Sequence, residues 1–171
     1  MEGKDSVELI EKTASPGQWL VVGRDSSFRG GGRYYTPGVL VKPLVEMALA
    51  PLCRRDNAVV SPEELLSRRV LDPACGSGAF LVAALHYLAN TLTQSVFEHN
   101  CLSPADETAP SKGWRGSTCV RLTPSLAFET PLGPLDDGFK GFLQVLLRRH
   151  VVEHCLYGVD IDPVAVETAR L

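Results

Sequence analysis

The sequence predicts an α/β fold built on parallel strands. Three observations point to it. Short apolar runs at Val70-Leu71 and Cys155–Asp160 alternate with longer helical stretches, the order expected of strands joined by helical crossovers. A glycine turn, Asp72-Pro73-Ala74-Cys75-Gly76-Ser77-Gly78, directly follows the first run. The stretch that opens at Ala79 (AFLVAALHYLAN) is apolar almost all round, as a helix beside a central sheet would be.

The elements follow in chain order. Residues 1–32 read as an N-terminal extension and flexible loop, with a turn or two of helix at VELIEK, a short strand or anchor at Trp19–Val22, and three consecutive glycines at 30–32. Thr36-Pro37 suits an N-cap followed by the first helical residue. The helix continues through VLVKPLVEMALAPL, with Pro43 expected to kink or restart it and Pro51 to help stop it. Ser61 and Glu64 have the spacing of a capping box and open a short helix. Val70-Leu71 is a short buried strand, and the helix from Ala79 runs to about residue 99, more polar after Asn90. Residues 101–137 are rich in Pro, Ser, Thr and Gly and read as a long irregular insertion, with Trp114 as an anchor to the core. A helix over 138–153 returns the chain to a second strand, Cys155–Asp160, and Asp162-Pro163 caps a last helix.

Composition bounds the function. The chain has 171 residues, 44% hydrophobic and 22% charged, enough for one domain with a core. No apolar run approaches the roughly 20 residues of a membrane helix, and the N-terminus MEGKDSVELIEK lacks the apolar segment of a secretory signal; no membrane partner is expected. The five cysteines are odd in number, with no CxxC pair, which argues against a zinc site or disulfide framework and for reduced thiols in a cytoplasm. The formal charge of −3 counts mildly against DNA as the direct partner of these residues, because such binders usually carry a basic surplus.

The glycine turn is the leading candidate site. Ligands in parallel α/β sheets bind outside the carboxyl ends of the strands, where this turn is placed. Gly76 and Gly78 permit a tight turn and close approach of a ligand. A dinucleotide site would need GxGxxG, but position 81 is Leu. Asp72, ahead of the glycines, would repel a pyrophosphate and suit a cationic ligand. S-adenosylmethionine carries an ammonium and a sulfonium and no phosphate, so the charge argument favours it over a nicotinamide dinucleotide. An ordinary glycine turn with Asp72 as a cap is the competing reading. At the second strand, Asp160 is the candidate acceptor for both ribose hydroxyls, with Ile161 against the adenine face. A purely structural turn competes there too.

Elsewhere, favourable charge near a helix C-terminus accounts for Arg148-Arg149-His150. Arg29 and Arg33 flank the triple glycine as loop charges, a lid or DNA contacts. His150 and His154 share a helix face at i, i+4, but the sequence indicates no third ligand, and no metal is expected.

Together, Arg33-Tyr34-Tyr35-Thr36-Pro37, Val70–Leu81 (VLDPACGSGAFL) and Leu156–Val166 (LYGVDIDPVAV) resemble, in the same order, the N-terminal motifs of adenine-N6 DNA methyltransferases, in particular the branch with fused restriction–methylation enzymes and phage-defence methylases. The resemblance spans about residues 29–171 apart from the insertion. It implies a partial Rossmann-like S-adenosylmethionine-dependent methyltransferase fold with parallel strands, incomplete at the C-terminus, over residues 33–171, with the insertion at about 101–137. It implies that Thr36 and Pro37 lie over the methionine end of the cofactor, with Tyr34 and the cofactor-binding candidate Tyr35 nearby. Asp72 would face the methionine ammonium. Ala74, Cys75, Gly76 and Gly78 would form the loop around the methionine, and Phe80 would back it. Asp160 would hold the ribose and Ile161 would touch the adenine. Cys75 has no expected nucleophilic role.

The family's catalytic tetrapeptide, Asn or Asp followed by Pro-Pro and an aromatic, does not occur in this sequence, so no catalytic residue is assigned. The resemblance then implies the S-adenosylmethionine-binding portion of an enzyme of restriction–modification or phage defence. It would methylate adenine N6 in a base flipped from the duplex and contact DNA mostly through regions outside this chain. A non-catalytic subunit of a split methyltransferase is one alternative, and a nicotinamide-dependent oxidoreductase a more distant one. An incomplete sheet would leave an open strand edge, exposed apolar surface and marginal stability.

Overall fold

A computed structural model of the protein describes residues 36–105 and 113–170. These belong to one compact unit, a mixed α/β arrangement of five helices and seven short strands among the described residues. Tyr34, Tyr35, the triple glycine and the expected Trp19–Val22 strand lie outside them.

Helix α1 spans Gly38–Cys53. Pro37, not Thr36, occupies its cap position, and no side chain caps it, so the expected Thr36 N-cap is corrected by one residue. Pro43 does not restart the helix, which runs unbroken past it and Pro51. Strands β1 (Arg54–Arg55) and β2 (Ala58–Val59) form an antiparallel hairpin. Its two turn residues, Asp56 and Asn57, have φ of 50° and 67°, the left-handed pair that a tight hairpin requires.

Helix α2 (Pro62–Ser67) starts as the sequence predicts, with Ser61 Oγ accepting the Glu64 N–H at 3.2 Å. The Glu64 carboxylate does not complete the capping box and instead binds Arg55 and Arg68. Ser61→Ala is expected to cost about 1 kcal/mol, read as a lowered urea midpoint with unchanged slope.

Strand β3 (Val70–Asp72) leads through the glycine turn into α3 (Ala79–Glu98). The chain then forms a three-stranded antiparallel sheet of β4 (Leu102–Pro104), β5 (Thr118–Thr123) and β6 (Leu126–Thr130). The irregular insertion expected over 101–137 is thus corrected. Thr118, Val120 and Leu122 alternate inward along β5, and this period of two buries one face of the sheet. Trp114 is buried, and its indole N–H donates to Thr118 Oγ1 at 2.8 Å. The Asp136 carboxylate accepts the Gly116 and Gly133 N–H groups at 2.7 and 2.8 Å, closing the segment on itself. Those two backbone donors, and then Arg115, hold the Asp136 carboxyl below its ordinary pKa.

Helix α4 (Phe139–Cys155) returns to β7 (Leu156–Gly158), and α5 (Pro163–Ala169) follows. The Asp162 side chain accepts the Val164 N–H at 3.1 Å, the cap that the sequence predicts. Because α4 extends to Cys155, Arg148 and Arg149 lie inside it rather than in its last turn, and Arg149 pairs with Glu153 at 2.8 Å. Charge at a helix end therefore does not account for them.

Three helices build the core by the same rule. Val41, Val45, Leu49 and Cys53 on α1, Ala84, Leu88, Leu92 and Val96 on α3, and Leu143, Leu147, Val151 and Cys155 on α4 are all buried. Each row advances by four residues, the spacing that places side chains on one helix face. α3 packs between the other two. Against this layer, β3 and β7 pair in parallel, with Val70 opposite Leu156 and Asp72 opposite Gly158. Among the described residues these two strands pair only with each other, and Leu71 and Tyr157 are exposed. No helix among the described residues is long and apolar enough to cross a membrane.

Candidate functional site

The two parallel strands end at neighbouring points, and the chain knits those ends together. The Val159 N–H donates to the Asp72 carbonyl at 2.9 Å, and the Cys75 N–H donates to the Val159 carbonyl at 3.0 Å. These bonds extend the pairing one step beyond β3 and into the turn. Asp72 folds its carboxylate back onto the Ala74 N–H at 3.1 Å.

Asp160 adds a side-chain link across the same region. One carboxylate oxygen accepts the Gly76 N–H at 2.8 Å, and the other accepts the Asp162 N–H at 2.8 Å. A single side chain after β7 thus fixes the glycine turn after β3 and the entry to α5. Gly76, at φ 53°, and Gly78, at φ 84°, take left-handed backbone angles, which a residue with a Cβ adopts only at a cost. Gly78 serves as the N-cap of α3, and its N–H donates to the Cys75 carbonyl at 2.8 Å.

The electrostatics of the turn can be read from Cys75, which is buried within it. Its thiol is pushed above the ordinary pKa by burial first, then by the carboxylates of Asp72 and Asp160. The two carboxylates thus add negative charge beside the turn, and its thiol stays protonated at neutral pH. Such charge suits a cation and opposes a pyrophosphate. A protonated, buried thiol is also a poor nucleophile.

The sequence-predicted residues fall into groups. Asp72, Ala74, Cys75, Gly76, Gly78 and Asp160 are brought together by the bonds just described. Ile161 follows Asp160 and is fully exposed at 101%, available to a flat ligand and in no core. Phe80 is half-buried and lines an apolar cleft of about 330 Å³ with Asp72, Leu71 and the α1 residues Val45, Ala48 and Leu49. Thr36 and Pro37 precede α1, whose first turn shares a second cleft, about 420 Å³, with Ser77 of the glycine turn and the start of α3. That cleft brings the Thr36-Pro37 end of α1 toward the turn. Gly158 belongs to the site although the sequence reading passed over it. A Cβ there would lie 2.8 Å from Leu81 Cδ1 and 3.1 Å from Cys75 Sγ, so any side chain at this position would force Leu81 and Cys75 to shift. Glycine in the strand run was the available signal.

Comparison with known proteins gives one positive finding. Residues 24–109, half of the chain, match the family model described as N-6 DNA methylase. The match includes Tyr35-Thr36-Pro37 and the whole glycine turn, and ends before Asp160. No curated protein and no solved structure matches the chain.

Proposed function

The chain belongs to the N-6 DNA methylase family, and from that premise we propose that the crevice at the ends of β3 and β7 binds S-adenosylmethionine for methyl transfer to adenine N6 in DNA. The observation that carries this reading is the joining of the glycine turn to Asp160 beside Asp72, with the negative charge the two carboxylates add beside Cys75. A phosphate-free, cationic nucleoside fits that chemistry.

On this reading each residue has a defined task. Asp72 faces the methionine ammonium. Ala74, Cys75, Gly76 and Gly78 shape the backbone around the methionine, and Gly76 and Gly78 keep it open to close approach. Asp160 orients the ribose through its hydroxyls while anchoring the turn. Ile161 offers an apolar face to the adenine, and Phe80 supports the turn from behind. Tyr35, Thr36 and Pro37 close over the methionine end. When bound, the cofactor would supply an electrophilic methyl group for the exocyclic amine. The groups that hold the flipped adenine are not among these side chains. The strand pair is then the cofactor-binding part of a Rossmann-like sheet that serves restriction–modification or phage defence.

Calorimetric titration of the 171-residue chain with S-adenosylmethionine and, separately, with NAD⁺ tests the proposal. Saturable one-to-one binding of S-adenosylmethionine, at least about tenfold tighter than NAD⁺ (about 1.4 kcal/mol), is expected. Preferential NAD⁺ binding would overturn it.

A further inference from the structure

The last turns of α4 carry a second constellation, at the end of the strand pair opposite the glycine turn, because α4 runs directly into the start of β7. His150, Glu153 and His154 stand at i, i+3 and i+4, the spacing that shares one helix face. Their candidate ligand atoms all lie within 4.8 Å of one another. The geometry points to a binding site for a divalent transition metal of the zinc class, held by His150, Glu153 and His154.

Four observations support it. His150 Nδ1 is buried and has no hydrogen-bond partner, an unfavourable state for a polar atom that a metal would relieve. The His150 ring is already held in place, stacked on Phe128 of β6 at 5.3 Å and 27° and lying nearly parallel to His154 at 6.1 Å and 13°. Glu153 divides its carboxylate: Oε1 accepts from Arg149 Nε at 2.8 Å, while Oε2 lies 3.9 Å from His150 Nδ1. Finally, His154 lines a cleft of about 440 Å³ with Glu63, Ser67, Thr123 and Ser125, which leaves room for water as a fourth ligand.

Two imidazoles and one carboxylate form a donor set that zinc accepts, with bonds of about 2.0–2.2 Å. Atoms on a tetrahedral ion of that size stand about 3.4 Å apart, so the three groups need to close by up to about 1.4 Å from their separations of up to 4.8 Å, within the reach of rotamer changes. The sequence expectation of no metal rested on the lack of a third ligand, and Glu153 supplies one.

Cobalt(II) titration of the full chain, followed by zinc competition, tests the site. The expected result is a one-to-one complex with visible ligand-field bands and no thiolate charge-transfer band, displaced by zinc. His154→Ala and Glu153→Gln should each weaken binding at least about tenfold, and zinc should raise Tm in the unaltered chain but not in His154→Ala. These two positions are chosen because Glu153 is exposed and His154 only half-buried, so their variants are expected to fold. Affinity for zinc no greater than for magnesium, binding unchanged in both variants, or a thiolate band from the cysteines would each overturn the inference.

Discussion

Asp160→Ala is expected to weaken S-adenosylmethionine binding by at least about 100-fold, or roughly 3 kcal/mol. The carboxylate accepts two backbone amides, Gly76 and Asp162, and hydrogen bonds to a charged group contribute about 1.5–3 kcal/mol each. Alanine removes both, together with the proposed ribose contact, so the glycine turn loses its tie to the end of β7. Most of the helical core lies away from this link, and far-UV circular dichroism should change little. Asp160→Asn keeps one acceptor oxygen and should fall between the two, about tenfold weaker than the unaltered chain. Unchanged affinity in the alanine variant would refute the ribose role.

Gly158→Val is expected to destabilise the fold by about 1–3 kcal/mol, the usual cost of overpacking, and to lose cofactor binding with it. Even a single Cβ at this position would meet Leu81 Cδ1 at 2.8 Å, Cys75 Sγ at 3.1 Å and Cys75 Cβ at 3.3 Å. Leu81 can move its terminal methyl, but Cys75 is fixed by the backbone bond from its N–H to Val159. Valine adds two methyl groups to that crowding and pushes β7 away from α3, disturbing the pairing of Asp72 with Gly158. Gly141→Ala in α4 is the control, since nothing lies within 4 Å of a Cβ there and alanine favours the helix by about 0.5–1 kcal/mol. Chemical denaturation midpoints should separate the two glycines with opposite signs. Equal stability of Gly158→Val and the unaltered chain would show that the close approach is not required.

Much of the site was legible because its determinants are local. A short apolar run followed by Asp72 and a glycine turn fixes a strand end, and Asp162-Pro163 announces a helix start; both occur where expected. The rows of four on α1, α3 and α4 are likewise written in the spacing of apolar residues. The bond from Gly76 to Asp160 joins residues 84 positions apart, and only the parallel pairing brings them together.

The segment 101–137 was misread because Pro, Ser, Thr and Gly dominate its composition. Its strands are short, and buried Thr118 and Thr130 look polar in sequence, though they fill inward positions. The β1–β2 hairpin escaped notice because each strand has two residues, too few to show a period. Glu153, the third member of the proposed metal site, also pairs with Arg149.

The most direct test of the central claim is an amide correlation spectrum of the isotopically labelled chain, recorded with and without S-adenosylmethionine. The largest shifts should fall on the Ala74, Gly76 and Asp162 amides, whose acceptors are the carboxylates of Asp72 and Asp160. Shifts confined to the apolar cleft of Val45, Leu49 and Phe80, with those three amides unmoved, would contradict it.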